Sequence, residues 1–365
     1  MVNDVVPCIG YPCNLKYDYS KVYHTMATHY NNVGCPYESS RYTNNTKESE
    51  RHVIDFFARK WGIEKGKYWG YVTASGTEGN MQGLMKGRDL LQKKFHGTIP
   101  VLVTSKESHY SVFKLAHVLG MKVIRVDTQP HGEICYQSLD AKLKTIPKQT
   151  GVVFNANLGT TMKGATDDVM KMYRVIRSNN MQESYYMHAD GALMGFILPY
   201  LCIDVLFRKY IHSVSTSGHK FLGVPFPCGI FIMDKTIQET LPTASIPYVN
   251  TTDNTILSSR NGHSPLFMEH AIHTVGDDGF SEDIKTCIDT SQWCTEYMIS
   301  KGIDAWRNQN SITVVFPSAV ASSKVQEKWQ IATDGDISHI VVMPHVTRDV
   351  IVKFVEDLST QKALQ

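Results

Sequence analysis

Seven short apolar runs, most of them separated by helix-length segments, restrict what this chain can fold into more than any other feature. The runs are "YWGYVTASG", "PVLVTS", "MKVIRVDT", "GVVFNANLG", "SYYMHADGAL", "SVSTSG" and "GIFIMD". Between them lie amphipathic stretches. "TEGNMQGLMKGRDLLQ" carries a stripe of Met81, Leu84, Met85 and Leu91, and "HYSVFKLAHVLG" one of Val112, Leu115, Ala116 and Leu119. Upstream, "ESERHVIDFFARKWG" sets Val53, Phe56, Phe57 and Trp61 on one helical face and closes at Gly62. Such alternation predicts an α/β fold, a mainly parallel sheet with helices on both sides. Ligands of these folds bind beyond the carboxyl ends of the strands.

From about Glu269 the pattern changes. A long amphipathic helix, "DDGFSEDIKTCIDTSQWCTEYMISKGI", precedes a strand "SITVVFPS", a helix near "VQEKWQIA", a strand "HIVVMP" and a final helix "VIVKFVEDLSTQ". The expected organisation is an N-terminal segment (1–50) contributing to a substrate pocket and a dimer, a large domain (51–268) and a small α+β C-terminal domain (269–365), since 365 residues exceed what one core usually fills. The 37 basic and 35 acidic side chains nearly cancel, and no basic block is interleaved with aromatics, so nucleic acid is not an expected partner. No apolar run approaches the roughly 20 residues of a membrane span, and "MVNDVVPCIG" lacks a basic start followed by an apolar stretch. A cytoplasmic protein without membrane contact is expected. The eight cysteines are scattered without zinc-type spacing and the fifteen histidines form no compact ligand set, so no metal is expected.

Three strand ends carry chemistry. "TASGTEGN" closes a strand with small residues and opens a helix, where backbone N–H groups and the helix dipole suit an anion; it reads as a phosphate cradle or as a tight strand-to-helix turn. Asp190 lies in the apolar strand "YYMHADGAL", where a carboxylate is costly unless it meets a cation or strong donors. Lys220 follows Ser217, Gly218 and His219 beyond another strand. It is either a solvated loop lysine or an amine held neutral among small and apolar groups, able to attack a carbonyl. Anion loop, buried acid and strand-end lysine together are what pyridoxal 5'-phosphate demands.

The chain resembles the group II pyridoxal-phosphate-dependent amino acid decarboxylases, in the branch holding histidine decarboxylases and plant serine decarboxylases. The resemblance runs nearly end to end, through "NNVG", "WGYVTASGTEGN", "SHYSVFKLA", "NLGTTMKGATDD", "HADGAL", "SVSTSGHKFLGVPFPCGI", "SSRNGHSPL", "AWRNQNSITVVFP" and "GDISHIVVMP". It implies a fold-type I, aspartate aminotransferase-like large domain and a homodimer with shared active sites. By matching positions, Lys220 is the imine-forming lysine, Asp190 the carboxylate facing the pyridine nitrogen, and His109 the histidine stacked on the cofactor ring. Ser75, Gly76, Thr77, Ser217 and His219 match phosphate or cofactor-neighbouring positions, and Thr160 a threonine of the cofactor pocket. "SIPYVNTTDNTILSSRNGH" resembles the family's mobile loop, with Tyr248 as its proton-donating tyrosine and Ser259 approaching the phosphate; Ser258 stands where relatives commonly have glycine.

The resemblance implies removal of the α-carboxylate of an L-amino acid as carbon dioxide, with Tyr248 returning a proton to the α-carbon. The segment "CPYESSRYTNNTKESE" is expected to shape the side-chain pocket, with Tyr42 and Asn44 as substrate contacts. Asn44 and Ser49 replace more apolar residues of relatives, and a polar lining disfavours an aromatic hydrocarbon side chain. Histidine is the first expectation; ornithine, arginine, lysine or serine are the alternatives. Transamination, aldol cleavage or a non-catalytic binding role are the remaining readings.

Overall fold

A computed structural model describes residues 8–203, 207 and 209–362, so the start of the 1–50 segment lies outside the described residues. The large sheet contains β1 (Tyr68–Thr73), β2 (Val101–Ser105), β3 (Val123–Val126), β4 (Val152–Asn157), β5 (Tyr185–Asp190), β6 (Ser213–Ser217) and β7 (Gly229–Asp234), in the order β1-β7-β6-β5-β4-β2-β3. These are the seven apolar runs. Pairings from β6 to β3 are parallel, whereas β7 runs antiparallel to both β6 and β1. Its inversion follows from residues 218–228, a connection shorter than the roughly dozen residues a parallel crossover needs. Residues of β4 and β7 are buried throughout, as expected for strands covered on both faces.

Helices α1 (Lys47–Lys60), α2 (Gly76–Lys94), α3 (Tyr110–Val118), α4 (Tyr136–Leu143), α5 (Val169–Ser178), α6 (Met194–Ile197) and α7 (Lys235–Thr240) belong to this layer structure. Val53, Phe56, Phe57 and Trp61 are buried as the periodicity requires, and Gly62 turns the chain at φ +70°. The Met81, Leu84, Met85 and Leu91 stripe of α2 packs into an apolar cluster with Val112, Leu115 and Leu119 of the α3 region, and a second rule governs its glycines. A Cβ at Gly79, Gly83 or Gly87 would sit 2.6 Å from Ser215 Cβ, 2.2 Å from His188 Nδ1 and 2.4 Å from Tyr186 Cδ1 respectively. This i, i+4 row of glycines lets α2 lie directly on β5 and β6, which brings its N-terminus to their carboxyl ends.

A hairpin of β8 (Ala244–Ile246) and β9 (Thr251–Asp253) leads into α8 (His263–Ser300), which crosses residues 268–269 and breaks instead at Gly276, with φ 70° and ψ 173°. Beyond it, β10 (Thr313–Pro317), β11 (Ala332–Asp334) and β12 (Ile337–Val341) form a small antiparallel sheet, flanked by α9 (Ser323–Trp329) and α10 (Arg348–Lys362). One apolar core joins both sheets: Phe57 contacts Phe196 (5.7 Å between ring centroids), Phe196 contacts Phe280 (5.1 Å), and the cluster continues to Phe316 and Phe354.

Candidate active site

The carboxyl ends of β4, β5 and β6 and the N-termini of α2 and α3 enclose a cavity of about 290 Å³. Lys220 lines it. Its position is fixed through the backbone, because Gly218 N donates to Cys228 O (2.9 Å) while Lys220 O accepts from Asn14 N (3.1 Å) and Gly223 N (3.1 Å). Burial pushes the lysine's pKa below its ordinary value, and the charge of Asp190 opposes that shift. The amine is thus biased toward its nucleophilic form while a carboxylate stands near.

Asp190, at the end of β5, pairs in register with Ser215 on one side and Asn157 on the other. Its Oδ2 accepts from Asn80 Nδ2 (2.8 Å) and its Oδ1 from the Ala192 N–H (3.2 Å). Asn80 is held in turn: its Oδ1 accepts from Ser215 Oγ (2.5 Å) and faces His188 Nε2 at 3.0 Å, while His188 Nδ1 faces Ser213 Oγ at 2.8 Å. Burial drives His188 down to about 4, so this relay is neutral near pH 7. Asn80 and His188 escaped the sequence reading. The signal was present, since Asn80 falls one helical turn after Gly76 and His188 two residues before Asp190, on the same side of its strand.

Ser75 caps α2, accepting from Glu78 N (3.4 Å), and Glu78 Oε2 accepts from Ala74 N (2.6 Å), a capping box displaced by one residue. The first free N–H groups and about half a positive charge therefore face the cavity. A Cβ at Gly76 would come within 2.6 Å of Ser217 Oγ, so glycine there leaves the N–H groups and the Ser217 hydroxyl converging. Thr77 and His219 join the lining. Ala74 and Thr77 are themselves exposed. His109 caps α3, its Nδ1 taking hydrogen bonds from Ser111 N (3.3 Å) and Ser111 Oγ (2.7 Å), which leaves the proton on Nε2; burial lowers its pKa. Thr160 is buried in the wall, where its Oγ1 accepts from Ala165 N (3.0 Å). An anion cradle, a supported carboxylate and a desolvated lysine in one cavity fit the phosphate, ring nitrogen and aldehyde of pyridoxal phosphate. Among the described residues no grouping suits a metal ion, and no helix is long and apolar enough to cross a membrane.

The opposite wall comes from residues that no motif singles out, in part from the 1–50 segment expected to contribute to the pocket and in part from the small sheet. Gly10, Tyr11 and Pro12 line it together with Thr313, Ala332, His339 and Val341 of the small sheet. The N-terminal strap is held by Ile9 N to Trp329 O (3.3 Å) and by Val341 N to Ile9 O (2.7 Å). His339 faces the carbonyls of Gly10 and Met162 at 3.0 Å each. No periodicity in residues 8–14 reveals this, because the contacts are made across the whole chain length.

Tyr42, Asn44, Tyr248 and Ser259 are not in this chain's cavity lining; they gather on another face. Tyr248 is 77% exposed on the turn of the β8–β9 hairpin. Arg41 N donates to Val249 O (2.8 Å), Cys35 N to Thr252 O (2.7 Å), Asn31 N to Asn44 O (3.0 Å), and Asn31 Nδ2 to Ser259 Oγ (3.1 Å), while Tyr42 OH meets His29. A fully buried Arg260–Glu50 ion pair anchors this unit to the large domain, with Glu50 also accepting from Val72 N (2.9 Å) and Asn32 Nδ2 (2.9 Å). The segment expected to choose the substrate and the loop expected to donate a proton are thus one hydrogen-bonded unit.

Residues 34–305 match the model of the pyridoxal-dependent decarboxylase conserved domain. The chain belongs to this family. Serine decarboxylase 1 of Oryza sativa subsp. japonica is 37% identical over 97% of this chain and 72% of its own length. Histidine decarboxylase of Solanum lycopersicum is 37% identical over 97% and 84%, and that of Morganella morganii 38% identical over 92% and 87%. Among solved structures, L-methionine decarboxylase from Streptomyces sp.590 superposes with a TM-score of 0.88 at 23% identity, covering 97% of this chain and 91% of that one, which agrees with the fold-type I architecture. This pyridoxal-dependent decarboxylase is a carboxy-lyase acting on an amino acid, with pyridoxal phosphate as cofactor.

Proposed function

We propose that this enzyme decarboxylates an L-amino acid with an uncharged polar side chain, histidine first and serine second, in a cytoplasmic homodimer whose active sites are shared. The observation that carries the substrate class is the charge of the cavity: of its lining residues only Asp190 bears a carboxylate, and that one is engaged by Asn80 and Ala192. A buried ammonium or guanidinium without a counter-charge is costly, which disfavours ornithine, lysine and arginine. Hydroxyls of Thr161 and Thr313 and the ring of Tyr11 instead offer neutral hydrogen-bonding groups around an apolar patch of Leu193 and Met194.

When bound, pyridoxal phosphate supplies an aldehyde for amines and a ring that accepts the electron pair left by departing carbon dioxide. Ser75, Gly76, Thr77, Ser217 and His219 would hold its phosphate. Asp190, braced by Asn80, would keep a proton on its ring nitrogen, His109 would pack on the ring face, and Lys220 would present a neutral amine. Thr160 shapes the pocket edge through its bond to Ala165.

The homodimer reading rests on the exposed unit of Tyr42, Asn44, Tyr248 and Ser259, which is outside its own cavity yet carries the positions that the resemblance assigns to substrate and phosphate. The exposed surface at Ala74 and Thr77, beside the cavity mouth, suits coverage by a second copy. Tyr248 would then deliver its proton to the α-carbon in the neighbouring subunit's site. The division into 1–50, 51–268 and 269–365 belongs to the same reading, and eight free cysteines support a reducing, cytoplasmic setting.

A panel of twenty amino acids, scored by carbon dioxide and amine product, tests the substrate class. Amine formation from histidine, with serine next, is expected. Strong turnover of ornithine or arginine with none of histidine overturns it, and keto acid or aldehyde products without carbon dioxide would point to transamination or aldol cleavage.

A further inference from the structure

The N-terminal strap carries two thiols for which decarboxylation has no use. Cys8 and Cys13 bracket Ile9 to Pro12, and Gly10, Tyr11 and Pro12 are cavity wall. The two Sγ atoms lie 3.3 Å apart, with Cys13 donating to Cys8. Backbone bonds fix the strap on both sides of the pair. Cys8 O accepts from His345 Nε2 (3.1 Å), Gly10 O from His339 Nε2 (3.0 Å), and Asn14 N donates to the carbonyl of Lys220 (3.1 Å). The thiols therefore meet at the neck of a loop whose tip faces the substrate space and whose far end is bonded to the lysine. The hydrogen bond from Cys13 favours thiolate at Cys8, bringing it down to about 7, and holds the Cys13 proton more tightly. Thiolate at neutral pH is what oxidation needs.

We propose that Cys8 and Cys13 are a redox site, closing as a reversible disulfide that resets the Gly10–Pro12 wall and tunes amino acid binding; this rests on reading that wall as part of the side-chain pocket. Hydrogen peroxide is the oxidant. The Cys8 thiolate attacks one peroxide oxygen, the O–O bond breaks, Cys8 becomes a sulfenic acid, and hydroxide leaves to take up a proton as water. Cys13 then loses its proton and its sulfur attacks Cys8; the S–S bond forms, the S–O bond breaks, and a second water departs. Two electrons pass from the thiols to one peroxide, and a dithiol reverses the change by exchange. Closing 3.3 Å to a bond of about 2 Å tightens the neck of the loop and moves Tyr11 and Pro12 at its tip. Neither cysteine touches a residue assigned to carbon dioxide release, so binding should change more than turnover.

The holoenzyme is treated with hydrogen peroxide, then alkylated and mapped by mass spectrometry, with kcat and KM measured before, after, and after dithiothreitol. Expected are a peptide holding both cysteines that is lighter by two hydrogens and refuses alkylation, and a change in KM of about threefold or more with kcat altered less than about twofold, both reversed by the dithiol. Cys13→Ser should bind substrate as the reduced enzyme does, form no linked peptide and show no reversible change in KM. Absence of the linked peptide at peroxide levels that oxidise the exposed Cys202 overturns the proposal, and so does a linked peptide with unaltered KM. Tyr11→Ala in the reduced enzyme separates the two readings. If it leaves KM values across the amino acid panel unchanged, the wall assignment fails; if it shifts them while oxidation does not, the disulfide role alone fails.

Discussion

The ends of β5 and β6 and the turn of the β8–β9 hairpin hold residues assigned to one reaction, yet they are built in opposite ways. Asp190 has a donor for each oxygen, and its supporter Asn80 is itself bonded at both ends of its amide. Tyr248 stands 77% exposed on a hairpin of three-residue strands. The difference separates what one chain can position by itself from what it can only present. On the proposed roles, the group that would hold a proton at a fixed place lies on a strand end braced by an adjoining helix, whereas the group that would arrive at the site is carried on an exposed turn. Under the proposed homodimer, the strand-end half would belong to each subunit and the hairpin half to its neighbour.

The largest expected effect breaks or upholds that assignment. Lys220→Ala should lower amine formation by at least about a thousandfold, since it removes the nucleophile, and borohydride should no longer fix the cofactor's colour to the chain. Tyr248→Phe should decarboxylate slowly and give deamination products. When the two impaired proteins are unfolded together and refolded, half of the proposed dimers would be hybrids, each with one intact site, so amine formation should return to about a quarter of the unmutated level. If the tyrosine served its own subunit, no hybrid would contain an intact site and no activity would return.

The unequal legibility of the two regions in the sequence has the same physical origin. Strand-end groups stand out because Asp190 interrupts an apolar run and Lys220 closes another, each a local contradiction between residue and surroundings. The helix–strand alternation likewise exposes the seven sheet strands, although β7's reversal depends on the length of residues 218–228 rather than on any periodicity. Asn80 hides because it reads as one more polar residue on a helix, and only the glycine row at Gly79, Gly83 and Gly87 brings it against Asp190. Gly10 and His339 are hidden more deeply, since the hydrogen bond between them joins the two ends of the chain. Tyr42 and Asn44 are pocket contacts by resemblance, and intrachain bonding gathers them with the hairpin through pairs such as Asn31–Asn44 and Asn31–Ser259, which no periodicity in a single sequence indicates.

A middle-sized effect sharpens the strand-end half. Asn80→Ala removes one of the two donors to Asp190 and leaves Ser215 Oγ and His188 Nε2 without their shared acceptor. A lost hydrogen bond to a carboxylate is worth about 1.5–3 kcal/mol, so kcat/KM should fall about 10–100-fold. Because the residue acts through Asp190, the absorption of the bound cofactor should also titrate at a different pH in the variant, with circular dichroism unchanged. A normal absorption titration with reduced activity would mean that Asn80 supports packing rather than the carboxylate.

The smallest effect concerns the acid limit of the same network. His188 is lowered to about 4 by burial, and His212, half-buried and stacked on Tyr186, is likewise lowered to about 4 by desolvation. Between an unfolded value near 6.5 and these folded values the native state binds fewer protons than the unfolded chain, so each histidine contributes stability that is present above pH 6.5 and lost as pH falls toward 4. Asp167 works the other way: burial raises it to about 6, so its protonation favours the native state as pH falls below 6. Among these three groups, two histidines against one aspartate leave a loss of about 1.4 kcal/mol per pH unit from pH 6 to 4, to which the lowered His109, His219, His339 and His345 add in the same direction. His188→Gln keeps an amide donor for Asn80 Oδ1 but cannot titrate, so denaturant unfolding across that range should give a profile shallower than the unmutated one by about 1.4 kcal/mol per pH unit. A profile as steep as that of the unmutated protein would remove His188 from the acid response. The hairpin half, with its exposed Tyr248, should show no such dependence when probed by the accessibility of its tyrosine, because no buried histidine supports it.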